Sequence, residues 1–313
     1  MWDEFLEEAK EARRKAYVTS VVALMQGQPI AGVMGKRIPR ELFYAMGIIP
    51  LTVAATDGYA MAHALKKSAA QCDLMRATEG YLRSDQCPLL HSSASLITDD
   101  LCPGRSRWLK ELSHLRPIFE VKKQSASAQE RPYEDLIEFL QEGYGVHYDD
   151  QKLRAFLTEY NEACEDHQAL LQQMHLRACT YQQMHLVQFG LEYQLTFAAK
   201  KQWIQRALEE IQLLPLRPVK KSHQAVNATF DFGCPQASEA FYRKIIPNQE
   251  AMFLPPDPAC DGETWQKVGS LDLGGLQQKY RGNRGSFSAW EMPIFDGCPI
   301  YSGEGVLCYS HKS

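Results

Sequence analysis

The sequence lacks any apolar run of the ~18 residues that a membrane-spanning helix needs, so no such span is expected. It also lacks an excess of basic charge. Lys and Arg number 34 against 38 Asp and Glu, a formal net charge of −4. That balance excludes nucleic acid as a general partner, because phosphate contacts require clustered cations. A local basic pocket for a CoA phosphate stays open. The N-terminus is not the basic, then apolar, start of a secretory signal: it carries Asp3, Glu4, Glu7 and Glu8. A cytoplasmic location is the expectation. Phosphate loops are missing as well, since Gly274-Gly275 and Gly303-Glu304-Gly305 have neither strand–helix context nor a Lys-Ser/Thr end. The nine histidines fall into no metal-ligating spacing and read as core or surface residues.

What is present is a chain of 313 residues, 45% apolar and 23% charged, long enough for two ordinary domains. Trp2, Phe5, Leu6, Ala9 and Ala12 recur at helical spacing and predict an amphipathic helix over 2–18. A short apolar stretch at Ile30–Met34 precedes Gly35. Pro39 then opens a helix, with Glu41 at its positive end, and Gly47 closes it. Ile48–Ala54 reads as a buried strand, Ser92–Thr98 as another, Arg105–Leu115 as a helix and Pro117–Val121 as a strand. This strand–helix alternation predicts an α/β fold with a parallel, Rossmann-like sheet. Asp149 or Asp150 caps a long helix reaching Met174, and Gln194–Leu214 is a further helical run. Pro215 and Pro218 place a domain boundary. The expected units are 1–214, an α/β domain with long helices; 215–280, a second, incomplete α/β domain containing a strand at Ala225–Phe232; and 281–313, an irregular Gly/Ser-rich tail.

Nine cysteines is a high number for a chain of this kind. Cys164 and Cys179 lie in helical pattern and read as buried core thiols. Cys102, Cys234 and Cys260 each sit where a turn gives way to a helix, where backbone N–H groups stabilise a thiolate. The C-terminal ends of parallel strands are also where α/β sheets hold ligands. The spacings of Cys72, Cys87 and Cys102 match neither ferredoxin runs nor zinc knuckles. By spacing alone, scattered core thiols and a metal site both stay open.

The run from Gly35 through Lys36, Arg37, Pro39, Arg40, Glu41, Ala45 and Gly47 to Pro50 resembles the opening signature of the 2-hydroxyacyl-CoA dehydratase and benzoyl-CoA reductase superfamily. Cys72, followed by Arg76 and Gly80, falls where that family carries its first cluster cysteine. Cys102, with Gly104, Arg105 and Arg107, is similar to the next ligand, although Pro103 stands where the family usually has Asp. Cys87-Pro88, Gly233-Cys234-Pro235 and Cys260 with Gly262 resemble the double-cubane branch. The resemblance covers residues 1–265. Beyond it, the family's late cysteine region reads Arg281 to Ser288 here, and Cys298 and Cys308 match no family position.

The resemblance implies an iron–sulfur protein, holding a 4Fe-4S cluster or a double-cubane cluster, with Cys72, Cys87, Cys102, Cys234 and Cys260 as candidate ligands. It implies an anaerobic lyase subunit that takes one electron from a separate ATP-dependent iron–sulfur activator and dehydrates a 2-hydroxyacyl-CoA. A homologous second subunit or a homodimer would complete it. Arg37 or Arg40 would meet CoA phosphate. Two alternatives accompany this reading: a double-cubane reductase of a small molecule, and a shortened, non-catalytic homologue that acts through a partner.

Overall fold

The computed structural model describes residues 1–35, 37–53, 60, 62–65, 73–100, 103–122, 133–216, 225–226, 252–253 and 265–282. Four parallel strands form its sheet: β1 (Ile30–Met34), β2 (Ile49–Thr52), β3 (Ser95–Asp99) and β4 (Ile118–Val121), in the order β2-β1-β3-β4. Ala31 pairs with both Pro50 and Ser95, and Leu96 pairs with Ile118. β1, β2 and β3 are buried along their whole length, as expected for a parallel sheet covered on both faces.

Alternation along β1 divides the core. Ala31 and Val33 face one layer, with Ile38, Leu42 and Phe43 of the α2 region (Arg40–Ala45), Leu136 and Leu140 of α6 (Glu134–Tyr144), and Leu153 and Leu157 of α7 (Asp150–Leu176). Ile30 and Met34 face the other, with Ala12 and Ala16 of α1 (Trp2–Met25), Met75 and Leu82 of α3 (Asp73–Ser84), and Trp108 and Leu112 of α5 (Pro103–Leu112). A third cluster joins Phe5 and Leu6 to α7, α8 (Tyr181–Glu192) and α9 (Phe197–Gln212). The short α4 (Pro88–Ser92) leads into β3.

Local sequence explains the element ends. Asp149 caps α7, its carboxylate accepting from the Gln151 and Lys152 amides at 2.7 and 3.3 Å. Thr180 and Gln183 form a capping box at the start of α8. Gly145, at φ +65°, ends α6 in the left-handed region. The run expected over Gln194–Leu214 begins instead at Phe197, because Thr196 caps α9 through the Ala199 amide.

β5 (Ala225–Val226) pairs in parallel with β6 (Met252–Phe253). The segment 265–282, which ends in α10 (Leu273–Gly282), packs on the first layer. Val268, Leu276 and Tyr280 join the core of β1 and α2, and Asn161 of α7 bonds both the N–H and the carbonyl of Val268. Arg281 and Gly282, expected in the irregular tail, belong to α10. Residues 283–313 lie outside the described residues.

Candidate functional site

The chain leaves β1 toward β2 on one side and reaches β3 on the other, so the strand order switches direction between β1 and β3. In open α/β sheets the crevice at the C-terminal ends of two such strands is the usual ligand position. Here it is built from the residues after Met34 and after Thr98. The Thr98 hydroxyl donates to the Met34 carbonyl at 3.0 Å, and the buried Asp99 carboxylate accepts the Arg37 amide at 2.9 Å. Gly35, at φ +153°, leaves the space that Asp99 fills, since a Cβ there would lie 2.5 Å from the carboxylate. Asp99 is fully buried and ties the two strand ends together.

The two signature arginines behave differently from the expectation of phosphate contact. Arg37 pairs with Asp100 at 3.5 Å and is largely covered. Arg40 is buried, its guanidinium 2.9 Å from the Thr52 hydroxyl and 2.7 Å from Glu192 at the end of α8. A guanidinium enclosed by its own carboxylate partner is not placed to meet a phosphate from solvent. Glu41 is equally buried, but on the other side of α2. Its carboxylate pairs with Lys279 of α10 and accepts the Tyr280 hydroxyl at 2.9 Å, while Lys279 also donates to Tyr160 at 2.9 Å. Two adjacent charges thus anchor α2 to two distant helices.

Helices α3 and α5 lie side by side on the opposite face of the sheet. The Trp108 indole N–H donates to Glu79 at 3.1 Å, and the other Glu79 oxygen accepts from Arg83 at 2.7 Å and from the Leu65 amide at 3.4 Å. Beyond the helix ends, Asp85 meets Arg116 at 3.7 Å, so the two helices run in the same direction. α3 begins at Asp73 and α5 at Pro103, the residues that follow Cys72 and Cys102 in sequence.

Of the five candidate ligands, Cys72, Cys102, Cys234 and Cys260 lie outside the described residues. Cys87 is described, and it is buried among Met75, Leu82, Leu89 and Leu90. It caps α4, which runs directly into β3; the adjoining Ala94 amide bonds the Ile30 carbonyl at the start of β1. Cys87 therefore sits toward the N-terminal edge of the sheet, away from the crevice. Cys164 and Cys179 are buried, as expected. Among the described residues no group of three or more His, Cys, Asp or Glu side chains is arranged to hold a metal ion, and no helix is long and apolar enough to cross a membrane.

Sequence reasoning missed Glu79, Trp108 and Lys279. The run Glu79-Gly80 carried a usable signal, since glycine inside a helix marks a close approach: a Cβ at Gly80 would lie 1.6 Å from the Ala60 carbonyl oxygen. Lys279 carried none, its partner being 238 positions away.

Comparison with known proteins agrees with the parallel α/β fold. YjiM of Escherichia coli (strain K12), provisionally named a dehydratase subunit, is 22% identical over 119 residues, 38% of this chain. The matched stretch spans only 30% of that relative's length. The sequence profile of the 2-hydroxyglutaryl-CoA dehydratase D-component matches residues 37–228, more than half of the chain. With its parallel α/β sheet and this match, the chain belongs to the 2-hydroxyglutaryl-CoA dehydratase D-component family.

Proposed function

We propose that this chain is an iron–sulfur subunit of a 2-hydroxyacyl-CoA dehydratase, with Cys72 and Cys102 as cluster ligands in the first domain. The observation that carries the reading is the pair of parallel helices α3 and α5, each of which starts one residue after one of these cysteines. Thiolate is the ligand that iron–sulfur clusters take, and a helix N-terminus favours the thiolate over the thiol. The donor set therefore fits such a cluster in its chemistry. Cys234 and Cys260 would supply ligands from the second domain. Cys87 is left out of the set, because its burial among apolar side chains supports a core role.

A cluster held by Cys72 and Cys102 would supply low-potential one-electron chemistry at the thioester carbonyl of the substrate, with an ATP-dependent activator protein as the electron source. The protein's own share is to hold the crevice between β1 and β3 in shape and to exclude water from it. Asp99 does the first by fixing the loop after β1. The ion pairs of Arg40 and Glu41 tie α2, which follows that loop, to α8 and α10.

The test is reconstitution under anaerobic conditions with an activator of this family, ATP and a panel of 2-hydroxyacyl-CoA thioesters. Formation of an enoyl-CoA that requires both ATP and the activator supports the reading. Iron-containing protein that reduces a small molecule but no thioester would favour the double-cubane reductase instead.

A further inference from the structure

We propose that Glu79 and Trp108 are positioning residues that set the relative depth of the two cysteine-bearing helix starts. The inference rests on the cluster reading of Cys72 and Cys102 and deepens it.

Glu79 is a fully buried carboxylate with both oxygens engaged. One accepts the Trp108 indole N–H, and the other accepts the Arg83 guanidinium and the Leu65 amide. Trp108 is itself completely buried. Burying a carboxylate is costly unless it is paired, and a carboxylate is not needed merely to fill space between two helices. What this one does is join three segments: α3, α5 and the stretch at 62–65. Gly80, next to it, allows the Ala60 backbone to seat against α3, so Ala60 is docked at the same place.

The register follows from helical geometry. Glu79 lies seven residues after Cys72, and Trp108 lies six residues after Cys102. At ~1.5 Å per residue, the two helix starts are then level to within roughly one residue's rise. A cluster has a fixed separation between its ligating corners, so a slip of one helix along the other would pull one thiolate out of reach. Arg83, one turn beyond Glu79 on α3, fixes the carboxylate so that the indole bond has a single geometry.

Trp108→Phe keeps the ring and deletes only the N–H. Its control is Trp203→Phe, which deletes an equivalent buried indole bond, at 3.1 Å to the Val187 carbonyl, in the third core cluster. Both variants should lose similar thermal stability. In the anaerobically purified protein, only Trp108→Phe should release iron to a chelator faster, by roughly tenfold, the scale on which supporting shells act on metal sites. Equal release from the two variants would overturn the inference.

A second readout does not need the cluster. In metal-free protein, a trivalent arsenical that bridges two thiols should be captured more slowly by Trp108→Phe than by wild type or Trp203→Phe, with Cys72→Ser as the blank. Unchanged capture in Trp108→Phe overturns the positioning role. Wild-type protein that captures the arsenical but never holds iron would instead overturn the cluster reading and leave the register intact.

Discussion

Lys279 of helix α10 forms a fully buried ion pair with Glu41 of the signature helix α2, across 238 positions of sequence. The Tyr160 and Tyr280 hydroxyls complete the shell around the pair. As a helix-dipole residue alone, Glu41 would contribute ~0.3–1 kcal/mol. As half of a buried pair, its removal strands a charge, and the expected loss is about 3–5 kcal/mol. Urea unfolding of Glu41→Gln separates the two. The double variant Glu41→Gln with Lys279→Met should recover much of the loss, because no uncompensated charge remains. A loss below about 1 kcal/mol would return Glu41 to the dipole role.

His167 gives the fold a pH dependence of defined sign. Burial against Trp265, whose ring stacks on it at 5.4 Å, lowers its pKa to about 4, opposed by its hydrogen bond to Gln188. The folded state therefore holds the neutral ring, while the unfolded chain takes up a proton near pH 6.5. Stability from this residue is complete above pH 6.5 and is lost as pH falls toward 4. The full loss is about 3 kcal/mol from the ~1.4 kcal/mol per pKa unit of linkage. Comparing unfolding at pH 7 and pH 5 should show a smaller pH effect in His167→Gln than in wild type. The same pH effect in both would refute the assignment.

Gly80 is required by contact and not by backbone conformation. A methyl group there meets the Ala60 carbonyl oxygen, so Gly80→Ala must push the 60–65 stretch away from α3 or strain the helix. A loss of about 1–3 kcal/mol, typical of overpacking, is expected, together with faster protease cleavage between residues 53 and 73. Gly143→Ala, where no atom lies within 4 Å of the added methyl, is the neutral comparison. Equal stability of the two variants would mean that Ala60 does not dock on α3.

Much of the sheet was readable because its strands carry continuous apolar runs between glycine and proline punctuation. Ile30–Met34 was bounded as observed, and of the two candidate caps, Asp149 and Asp150, it is Asp149 that caps α7. The end of α1 was placed too early, at residue 18. Its last two turns expose Val18, Val22 and Met25, so the amphipathic period fades although the helix continues to Met25. β3 was started too early because Pro88 opens a short helix that uses Ser92. The site was less legible. Arg40 and Glu41 look like exposed helix charges until their partners Glu192 and Lys279 are brought up by other elements. Asp99 looks like a turn residue until Gly35 is seen to make room for it. Such pairings depend on tertiary placement, and no local pattern announces them.

Iron and acid-labile sulfide analysis of anaerobically purified protein decides whether Cys72 and Cys102 hold an iron–sulfur cluster in this chain. About four iron and four sulfide for each 4Fe-4S site are expected in wild type and in Cys87→Ser. Near-complete loss of both is expected in Cys72→Ser and in Cys102→Ser, with helical circular dichroism unchanged. Wild-type protein without iron and sulfide, or full iron retained in both of the last two variants, would mean that these cysteines hold no cluster.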